Sequence, residues 1–326
     1  MSDESSAPRC LACDAALTGE ALAEDAFQHG EGALATVWRY RLLRCEACGM
    51  GRLFPNPSGD TLAALHGSDY DAYRDDAAGT SRSVAQRLKL GVASLSAAAL
   101  NRESFVISRL LTGTAHAAEL AFARSVPLTA SVPLTLRREA ALLDFGCGAG
   151  IWLMAMQGQG YQNLSAFDVG QPALAQLERA GIRAYADDAA RLPSQAFDCI
   201  RMEHVLEHVV DPTATLQLLR EKLTARGTIA LCVPNFGSAS AARLKNDWRA
   251  LKLPHHLSHF TASALQRVAR AAGFQIKRVR FVPISELGVP RAAAGRWRWQ
   301  LARHRYHALN LDSPAGDFLS AELEPV

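Results

Sequence analysis

An apolar segment that runs directly into a glycine-rich loop constrains the fold of this chain more than any other feature. Residues 140–145, A-A-L-L-D-F, have the length and apolar character of a buried strand, and G-C-G-A-G follows at once. Glycines at 146, 148 and 150 let the backbone approach a ligand closely, and a helix starting there would offer unbonded N–H groups. The pattern is G-x-G-x-G and not the dinucleotide pattern G-x-G-x-x-G, so alone it is a weak indicator.

Strands and helices alternate through the rest of this half of the chain. After the first strand, further strands are predicted at 164–168, 183–186, 197–202, 228–233 and 275–282. Helices are predicted at 151–159, 172–180, 212–223 and, capped by Thr261, up to residue 272. This order predicts an α/β fold, a Rossmann-like and mostly parallel sheet with helices on both faces.

Acidic residues follow the second and third of these strands. Asp168 ends the second strand, at a position suited to accept both ribose hydroxyls of an adenosine. Asp187 and Asp188 follow the third strand, where an acid could meet an adenine amino group. A solvated loop acid is the alternative for Asp168, and the glycine loop upstream at the correct strand spacing disfavours it. The sequence therefore predicts an adenosine-containing ligand.

Four of the seven cysteines form two C-x2-C pairs, Cys10 with Cys13 and Cys45 with Cys48. Two such pairs complete a tetrahedral shell of four thiolates around Zn2+, with Gly49 suited to a turn of positive φ and residues 37–44 to a strand. Four thiolates leave no open coordination position, so the zinc would be structural. Disulfides or loose thiols are the alternative, which a reducing compartment disfavours.

Composition and charge limit the partners and the location. The net charge of +3 in 326 residues is too mild to demand a nucleic acid. No apolar run approaches the roughly 18 residues that span a bilayer. The first residues, M-S-D-E-S-S, are polar and acidic where a signal peptide would be basic and then apolar. We therefore expect a cytoplasmic protein with reduced thiols.

Six segments together carry a family resemblance. They are L-L-D-F-G-C-G-A-G (142–150), A-F-D-V (166–169), F-D-C-I-R-M-E-H-V-L-E-H-V-V-D-P (197–212), V-P-N (233–235), P-H-H-L-S-H-F-T (254–261) and G-D-F-L-S-A-E-L (316–323). The chain resembles the class I S-adenosylmethionine-dependent methyltransferases. Within them it looks like the branch with an N-terminal zinc-binding module, common in bacterial glycan and secondary-metabolite pathways. The last segment resembles that family's final, antiparallel strand.

The resemblance implies S-adenosylmethionine as the cofactor and assigns residues to it. One group of residues is implied to surround the methionine moiety or belongs to the same motifs. It comprises Asp144, Gly146, Cys147, Gly148, Gly150 and Glu203. Asp168 is implied to hold the ribose, and Asp188 to lie near adenine. Because the sulfonium carries an activated methyl group, such an enzyme mainly aligns an acceptor and, where needed, removes its proton.

Two histidine clusters follow predicted strands, where open α/β folds bind ligands. In E-H-V-L-E-H, His204 and His208 stand four apart, a spacing that on a helix also suits a metal, but no companion ligand is identifiable. We favour a structural hydrogen-bonding role for His208 and retain it as a catalytic candidate. In H-H-L-S-H, His256 and His259 either serve the acceptor, as a general base or a binding group, or anchor their loop.

These motifs divide the chain into three predicted parts. Residues 1–57 form a zinc-binding module, 58–139 a helical segment and linker, and 140–326 the methyltransferase domain. Within the second part, 81–111 is predicted helical and 112–136 a linker. Residues 291–305 hold five arginines, two tryptophans and no acid, which fits a surface for a phosphorylated acceptor, RNA or anionic lipid, or else a solvated insertion.

The sequence thus predicts methyl transfer to a small molecule, with a sugar or sugar nucleotide favoured by the resemblance. One alternative is an RNA methyltransferase that grips RNA through the zinc module and the arginine-rich stretch. Another is a zinc-dependent scaffold with a vestigial cofactor pocket. Ionic strength separates the first two, because binding through phosphates weakens steeply with salt.

Overall fold

The computed structural model describes residues 8–30, 35–65, 136–169, 171–186, 188–282 and 316–326. The strands are β1 Ala23–His29, β2 Thr36–Arg44, β3 Gly51–Phe54, β4 Leu142–Phe145, β5 Leu164–Asp168, β6 Arg183–Ala186, β7 Phe197–Glu203, β8 Leu223–Pro234, β9 Ser258–His259, β10 Phe274–Val282 and β11 Phe318–Pro325. The α-helices are α1 Gly59–Leu65, α2 Ile151–Gly158, α3 Gln171–Arg179, α4 Pro212–Lys222, α5 Ala239–Leu244 and α6 Ala262–Ala271.

Several predicted segments lie outside the described residues. They are the helical stretch 81–111, nearly all of the linker 112–136, the arginine-rich stretch 291–305 and Asp187. Among the residues that are described, no helix is long and apolar enough to cross a membrane.

Seven strands form a sheet in the order β10-β11-β8-β7-β4-β5-β6. Strand β4 pairs in parallel with both β5 and β7, and β5 pairs in parallel with β6. Strands β10 and β11 pair antiparallel, as predicted for the last strand. All residues of β4 and β5 are buried, which is typical of strands covered on both faces. The predicted α/β, Rossmann-like class is confirmed.

The helix that follows the histidine segment begins where the sequence predicts. Thr261 has an extended backbone conformation, and its side chain accepts a hydrogen bond from the Ala264 N–H, so it caps α6. Gly273 follows the helix with a φ of 80°, which a glycine adopts without strain. The cap and the glycine fix where α6 begins and ends.

A second sheet joins the cysteine segment to the histidine segment. Its order is β1-β2-β3-β9, and every pair within it is antiparallel. Strand β9 has only two residues, with Gly51 opposite His259 and Arg52 opposite Ser258. Strand β2 was predicted, whereas β1, β3 and β9 were not. The two predicted parts of the chain that carry Cys48 and His259 therefore share one sheet.

The chain divides into two compact units. The histidine unit contains residues 1–70, 204–221 and 232–326, and the glycine-loop unit contains 71–203 and 222–231. Each has a hydrophobic cluster of its own, with Trp38 and Trp248 in the first and Trp152 and Leu177 in the second.

Candidate active site

The glycine loop of the glycine-loop unit connects β4 to α2 through three residues of positive φ. Gly146, Gly148 and Gly150 have φ values of 78°, 50° and 71°, a region that favours glycine. A Cβ on Gly150 would lie 2.5 Å from Leu177 Cδ2, so a side chain there collides with α3. The loop is thus compact because of its backbone conformation and its packing.

Asp168, the last residue of β5, is tied to this loop. Its Oδ2 accepts a 2.7 Å hydrogen bond from the Gly148 N–H, and the carboxylate is buried. The Gly146 N–H donates to the Phe167 carbonyl over 2.8 Å, and the Phe145 and Phe167 rings stack 4.6 Å apart. The acid and the glycine loop therefore adjoin each other.

Arg201 of β7 links two of the candidate cofactor residues. Its Nη1 donates to Asp144 Oδ1 over 2.8 Å, and its Nη2 lies 3.3 Å from Glu203 Oε2. The guanidinium also lies 4.9 Å from the centre of the Trp152 ring, within range of a cation–π interaction. Burial raises the pKa of Asp144, and the charge of Arg201 opposes that rise. Sequence reasoning missed Arg201, whose only signal was a basic residue inside an apolar strand.

Two further candidates have local roles. Cys147 is buried, and burial raises the pKa of its thiol, so the side chain is a neutral thiol at neutral pH. Asp188 Oδ1 accepts a 2.8 Å hydrogen bond from the Ala190 N–H and caps the short 3₁₀ turn at 189–191. The Asp188 side chain remains 56% exposed, so it is accessible to a ligand.

The donors and acceptors of this unit fit S-adenosylmethionine. Asp144 Oδ2 is buried and has no hydrogen-bond partner among the described residues, so it can accept from an ammonium group. The carboxylates of Asp144, Asp168 and Glu203 favour a cationic ligand. Ile151 and Val169, next to the glycine loop and to Asp168, expose apolar side chains on which an adenine could pack.

The four paired cysteines of the histidine unit converge. Their Sγ atoms all lie within 4.8 Å of one another, with Cys10–Cys48 and Cys13–Cys45 each at 3.5 Å. A tetrahedral zinc with bonds of about 2.3 Å places its sulfurs roughly 3.8 Å apart. None of the seven cysteines forms a disulfide, and Gly49 has the predicted positive φ, 75°. The donor set fits a structural zinc.

Three contacts connect this cysteine segment to the histidine segments. Arg52 Nη1 donates to Ser258 Oγ over 2.8 Å, and its Nη2 donates to the Val210 carbonyl over 2.6 Å. The Thr261 hydroxyl donates to the Cys48 carbonyl over 2.7 Å. Sequence reasoning missed Arg52, because nothing in its neighbourhood marks a partner so distant in the chain.

The segment E-H-V-L-E-H is not helical, unlike the arrangement considered for His204 and His208. Strand β7 ends at Glu203, His204 has a φ of 54°, and helix α4 begins only at Pro212. The turn between them exposes 40% of the His204 side chain and buries that of Glu207 completely. The two histidines therefore do not share a helix face.

The buried histidines are held by backbone carbonyls. His208 Nδ1 donates to the His255 carbonyl over 2.9 Å, and His256 Nδ1 donates to the Ala250 carbonyl over 2.8 Å, since a carbonyl can only accept. The two rings meet edge to face at 4.7 Å. Burial, with the neighbouring His259 second, lowers the pKa of His256 well below its ordinary value. Burial likewise lowers the pKa of His259 to about 4. Both rings are neutral at pH 7.

One family of known proteins matches more than half of this chain. Residues 115–279, just over half of the chain, match a family described as a methyltransferase domain. No curated protein sequence matches the chain.

Three of the solved structures that resemble the chain are each less than 20% identical to it. An S-adenosylmethionine-dependent methyltransferase from Mesorhizobium loti is 18% identical, covers 65% of this chain and 98% of its own, and has a TM-score of 0.44. A 1,6-didemethyltoxoflavin-N1-methyltransferase from Burkholderia thailandensis, solved with 1,6-didemethyltoxoflavin and S-adenosylhomocysteine, is 18% identical and covers 92% and 99%, with a TM-score of 0.45. A methyltransferase from Archaeoglobus fulgidus is 17% identical and covers 68% and 99%, with a TM-score of 0.43.

Proposed function

Since this chain belongs to the methyltransferase-domain family and is an S-adenosylmethionine-dependent methyltransferase, we propose that it methylates a small molecule, a sugar or a sugar nucleotide. The observation that carries the cofactor half of the proposal is the 2.7 Å hydrogen bond between the Gly148 N–H and Asp168 Oδ2. It brings an acid and a glycine loop together at the carboxyl ends of adjacent parallel strands, where α/β folds bind adenosine.

Each cofactor residue has a distinct part. Asp168 accepts hydrogen bonds from the ribose hydroxyls, and Asp188 lies near adenine. Arg201 occupies Asp144 Oδ1, which leaves Oδ2 to accept from the α-ammonium of the methionine moiety. The bound cofactor supplies an activated methyl group on its sulfonium. The backbone of the loop glycines and Cys147 would line the methionine moiety, and Glu203 would add negative charge to the site of this cationic cofactor.

The acceptor side of the proposal rests on the histidine unit. Sugar hydroxyls are hydrogen-bond donors, and the histidine unit contains the acceptors that such groups need: the Glu207 carboxylate and the imidazoles of His256 and His259. The formal net charge of only +3 supports a small acceptor over a polyanion. These observations favour the sugar-like acceptor over RNA.

We assign the proton transfer, where the acceptor needs one, to the histidines. His256 is the first candidate because its ring is neutral at pH 7. Its Nδ1–H donates a hydrogen bond to the Ala250 carbonyl, so Nε2 is the nitrogen that can take a proton. His259 is the second candidate, and His208 the third. General-base catalysis is worth about 10²–10⁴ in rate.

The zinc-binding module of residues 1–57 has a structural part in this proposal. Zn2+ held by Cys10, Cys13, Cys45 and Cys48 stabilises the strand β3 that pairs with β9. Residues 58–139 are a connecting segment and 140–326 the methyltransferase domain. We place the protein in the cytoplasm, where thiolates stay reduced and available to the metal.

The test is release of S-adenosylhomocysteine on incubation with sugars, sugar nucleotides or RNA in turn. We expect product with a sugar or sugar nucleotide, and a rate that varies little between 50 and 200 mM salt. A rate that requires RNA and falls steeply with salt would overturn the proposed acceptor class. In the same assay His256→Ala should lower turnover by about 10²-fold and leave cofactor affinity within about twofold. Turnover within about threefold of wild type would remove His256 from the mechanism.

A further inference from the structure

The histidine unit contains a second group of side chains with the chemistry of metal ligands, separate from the four cysteines. One ligand atom from each of Glu207, His208 and His256 lies within 4.8 Å of the other two, and all three residues are buried. A companion for His208 could not be identified in the sequence. The structure supplies two, from the same turn and from a segment nearly fifty residues later.

Both imidazoles make the backbone hydrogen bond that is common for histidines in protein metal sites. His208 and His256 each donate Nδ1–H to a backbone carbonyl, of His255 and Ala250 respectively. Ligating histidines commonly bond their second nitrogen in this way, which fixes the tautomer and directs Nε2 toward the metal.

One oxygen of the buried Glu207 carboxylate lacks a hydrogen-bond partner among the described residues. The Glu207 side chain is fully buried; Oε1 lies 3.1 Å from His204 Nδ1, and Oε2 has no partner among the described residues. The guanidinium of Arg52, whose charge acts on the same His259 ring as that of Glu207, donates its hydrogen bonds to Ser258, Asn56 and Val210.

We propose that Glu207, His208 and His256 form a divalent-cation site that binds Zn2+. Two imidazoles and a carboxylate are a ligand set that zinc accepts, and three protein ligands leave one position for water. Tetrahedral zinc needs these atoms roughly 3.4 Å apart, so they must close by at most about 1.4 Å. Rotation about the Glu207 side-chain bonds moves its unpartnered oxygen without breaking the backbone hydrogen bonds of the rings.

Occupancy of this site has a consequence for turnover, which rests on the proposed function. A bound cation takes the lone pair of His256 Nε2, and that atom then cannot accept a proton from the acceptor. The cation and the general-base role therefore exclude each other. Zinc added beyond the structural ion should inhibit methyl transfer, whereas the binding itself is independent of any methyl acceptor.

The test measures zinc bound to the full-length protein in equilibrium dialysis against buffered free Zn2+. We expect two ions per chain in the wild type and one in Glu207→Gln and in His208→Asn. His29→Asn is the control, because His29 contacts Thr61 and is not part of the cluster, and it should retain two ions. Thermal melting and S-adenosylmethionine affinity check that each variant is folded.

A second measurement keeps the test valid if a variant misfolds. Cobalt replaces zinc in both sites, and four thiolates give intense charge-transfer absorption that a nitrogen–oxygen site does not. We expect the wild-type spectrum to show weaker ligand-field bands in addition, and Glu207→Gln to lose only those. The proposed site would be wrong if the wild type bound one ion, or if a second ion remained in both Glu207→Gln and His208→Asn. Neither result would count against the proposed methyl transfer. Two ions without methyl transfer would count only against the proposed function.

Discussion

Arg52 and Ser258 stand 206 positions apart in the chain, yet Arg52 Nη1 donates a 2.8 Å hydrogen bond to Ser258 Oγ. The same guanidinium donates from Nη2 to Asn56 Oδ1 and to the Val210 carbonyl, both over 2.6 Å. Burial lowers the pKa of Arg52 to about 10, so it remains charged at neutral pH. One buried cation thus connects the cysteine segment to both histidine segments.

Removing that cation should loosen the histidine unit. Arg52→Met leaves three acceptors without a charged donor, and we expect a loss of about 2–4 kcal/mol in the free energy of unfolding of the zinc-loaded protein in urea. Arg41→Met, at an exposed position of the neighbouring strand, should change it by less than about 0.5 kcal/mol. Equal effects of the two substitutions would show that the buried hydrogen bonds contribute nothing.

The glycine loop should not tolerate a side chain at residue 150. Gly150→Ala combines a φ of 71° with a Cβ 2.5 Å from Leu177 Cδ2, so we expect a loss of about 2–4 kcal/mol in stability. Gly158→Ala, at the other end of α2, meets no atom within 4 Å and should be neutral or stabilising by up to about 1 kcal/mol. Thermal unfolding of the two variants measures the difference, and Gly150→Ala as stable as Gly158→Ala would contradict the packing argument.

The ribose assignment predicts a loss of cofactor affinity in Asp168→Ala. Hydrogen bonds to a charged group contribute about 1.5–3 kcal/mol, which corresponds to a roughly 10- to 150-fold weaker binding of S-adenosylmethionine. Glu178→Gln removes an exposed carboxylate of the same unit and should leave the affinity unchanged. Titration calorimetry compares them, and wild-type affinity in folded Asp168→Ala would refute the assignment.

Protein purified under reducing conditions should retain one tightly bound zinc per chain. A strong chelator should raise hydrogen exchange in residues 1–56 before the seven-stranded sheet, because structural zinc supplies folding energy directly. Hydrogen exchange in β9 should rise together with that in residues 1–56, since β9 pairs with β3. Cys13→Ser should abolish the metal, whereas Cys199→Ala, a core cysteine, should keep it. Protein without zinc after such a purification would contradict the four-cysteine site.

The buried histidines predict a loss of stability in acid. The pKa of His256 lies well below 6.5 and that of His259 is about 4, whereas both are near 6.5 in the unfolded chain. Above pH 6.5 neither state binds the proton, so the histidines add no pH dependence. Below it the unfolded state is protonated first, and stability falls by about 1.4 kcal/mol per pH unit for each histidine until its folded pKa is reached.

The other titratable or charged groups that face these two rings are Glu207, His204, His208, Arg52 and Lys252. Urea unfolding at pH 7, 6 and 5 gives the slope, measured on protein that carries its structural zinc and without further added metal. His259→Asn should flatten the slope, whereas His29→Asn should not, because its side chain is bonded to Thr61 outside the cluster. An unchanged slope in His259→Asn would remove that histidine from the explanation.

The cofactor half of the site could be predicted because its signals are local. The strand, the glycine loop and Asp168 lie within thirty residues, and parallel pairing of β4 with β5 follows from the α/β order. The link between Gly51 and His259 could not, because a two-residue strand has no hydrophobic periodicity and its partner is distant. The four-residue spacing of His204 and His208 likewise left their conformation open, since spacing cannot distinguish a helix from the turn that forms there.

Transfer of a labelled methyl group into a fractionated cell extract measures directly whether the methyl acceptor is a small sugar-like molecule. The protein is incubated with methyl-labelled S-adenosylmethionine and the extract, and the label is then separated by molecular size. We predict label in the low-molecular-weight fraction, sensitive to glycosidase or nucleotide-sugar pyrophosphatase treatment, and strongly reduced with Asp168→Ala. Label recovered in RNA or another polymer, or no transfer by protein that binds the cofactor, would contradict the account.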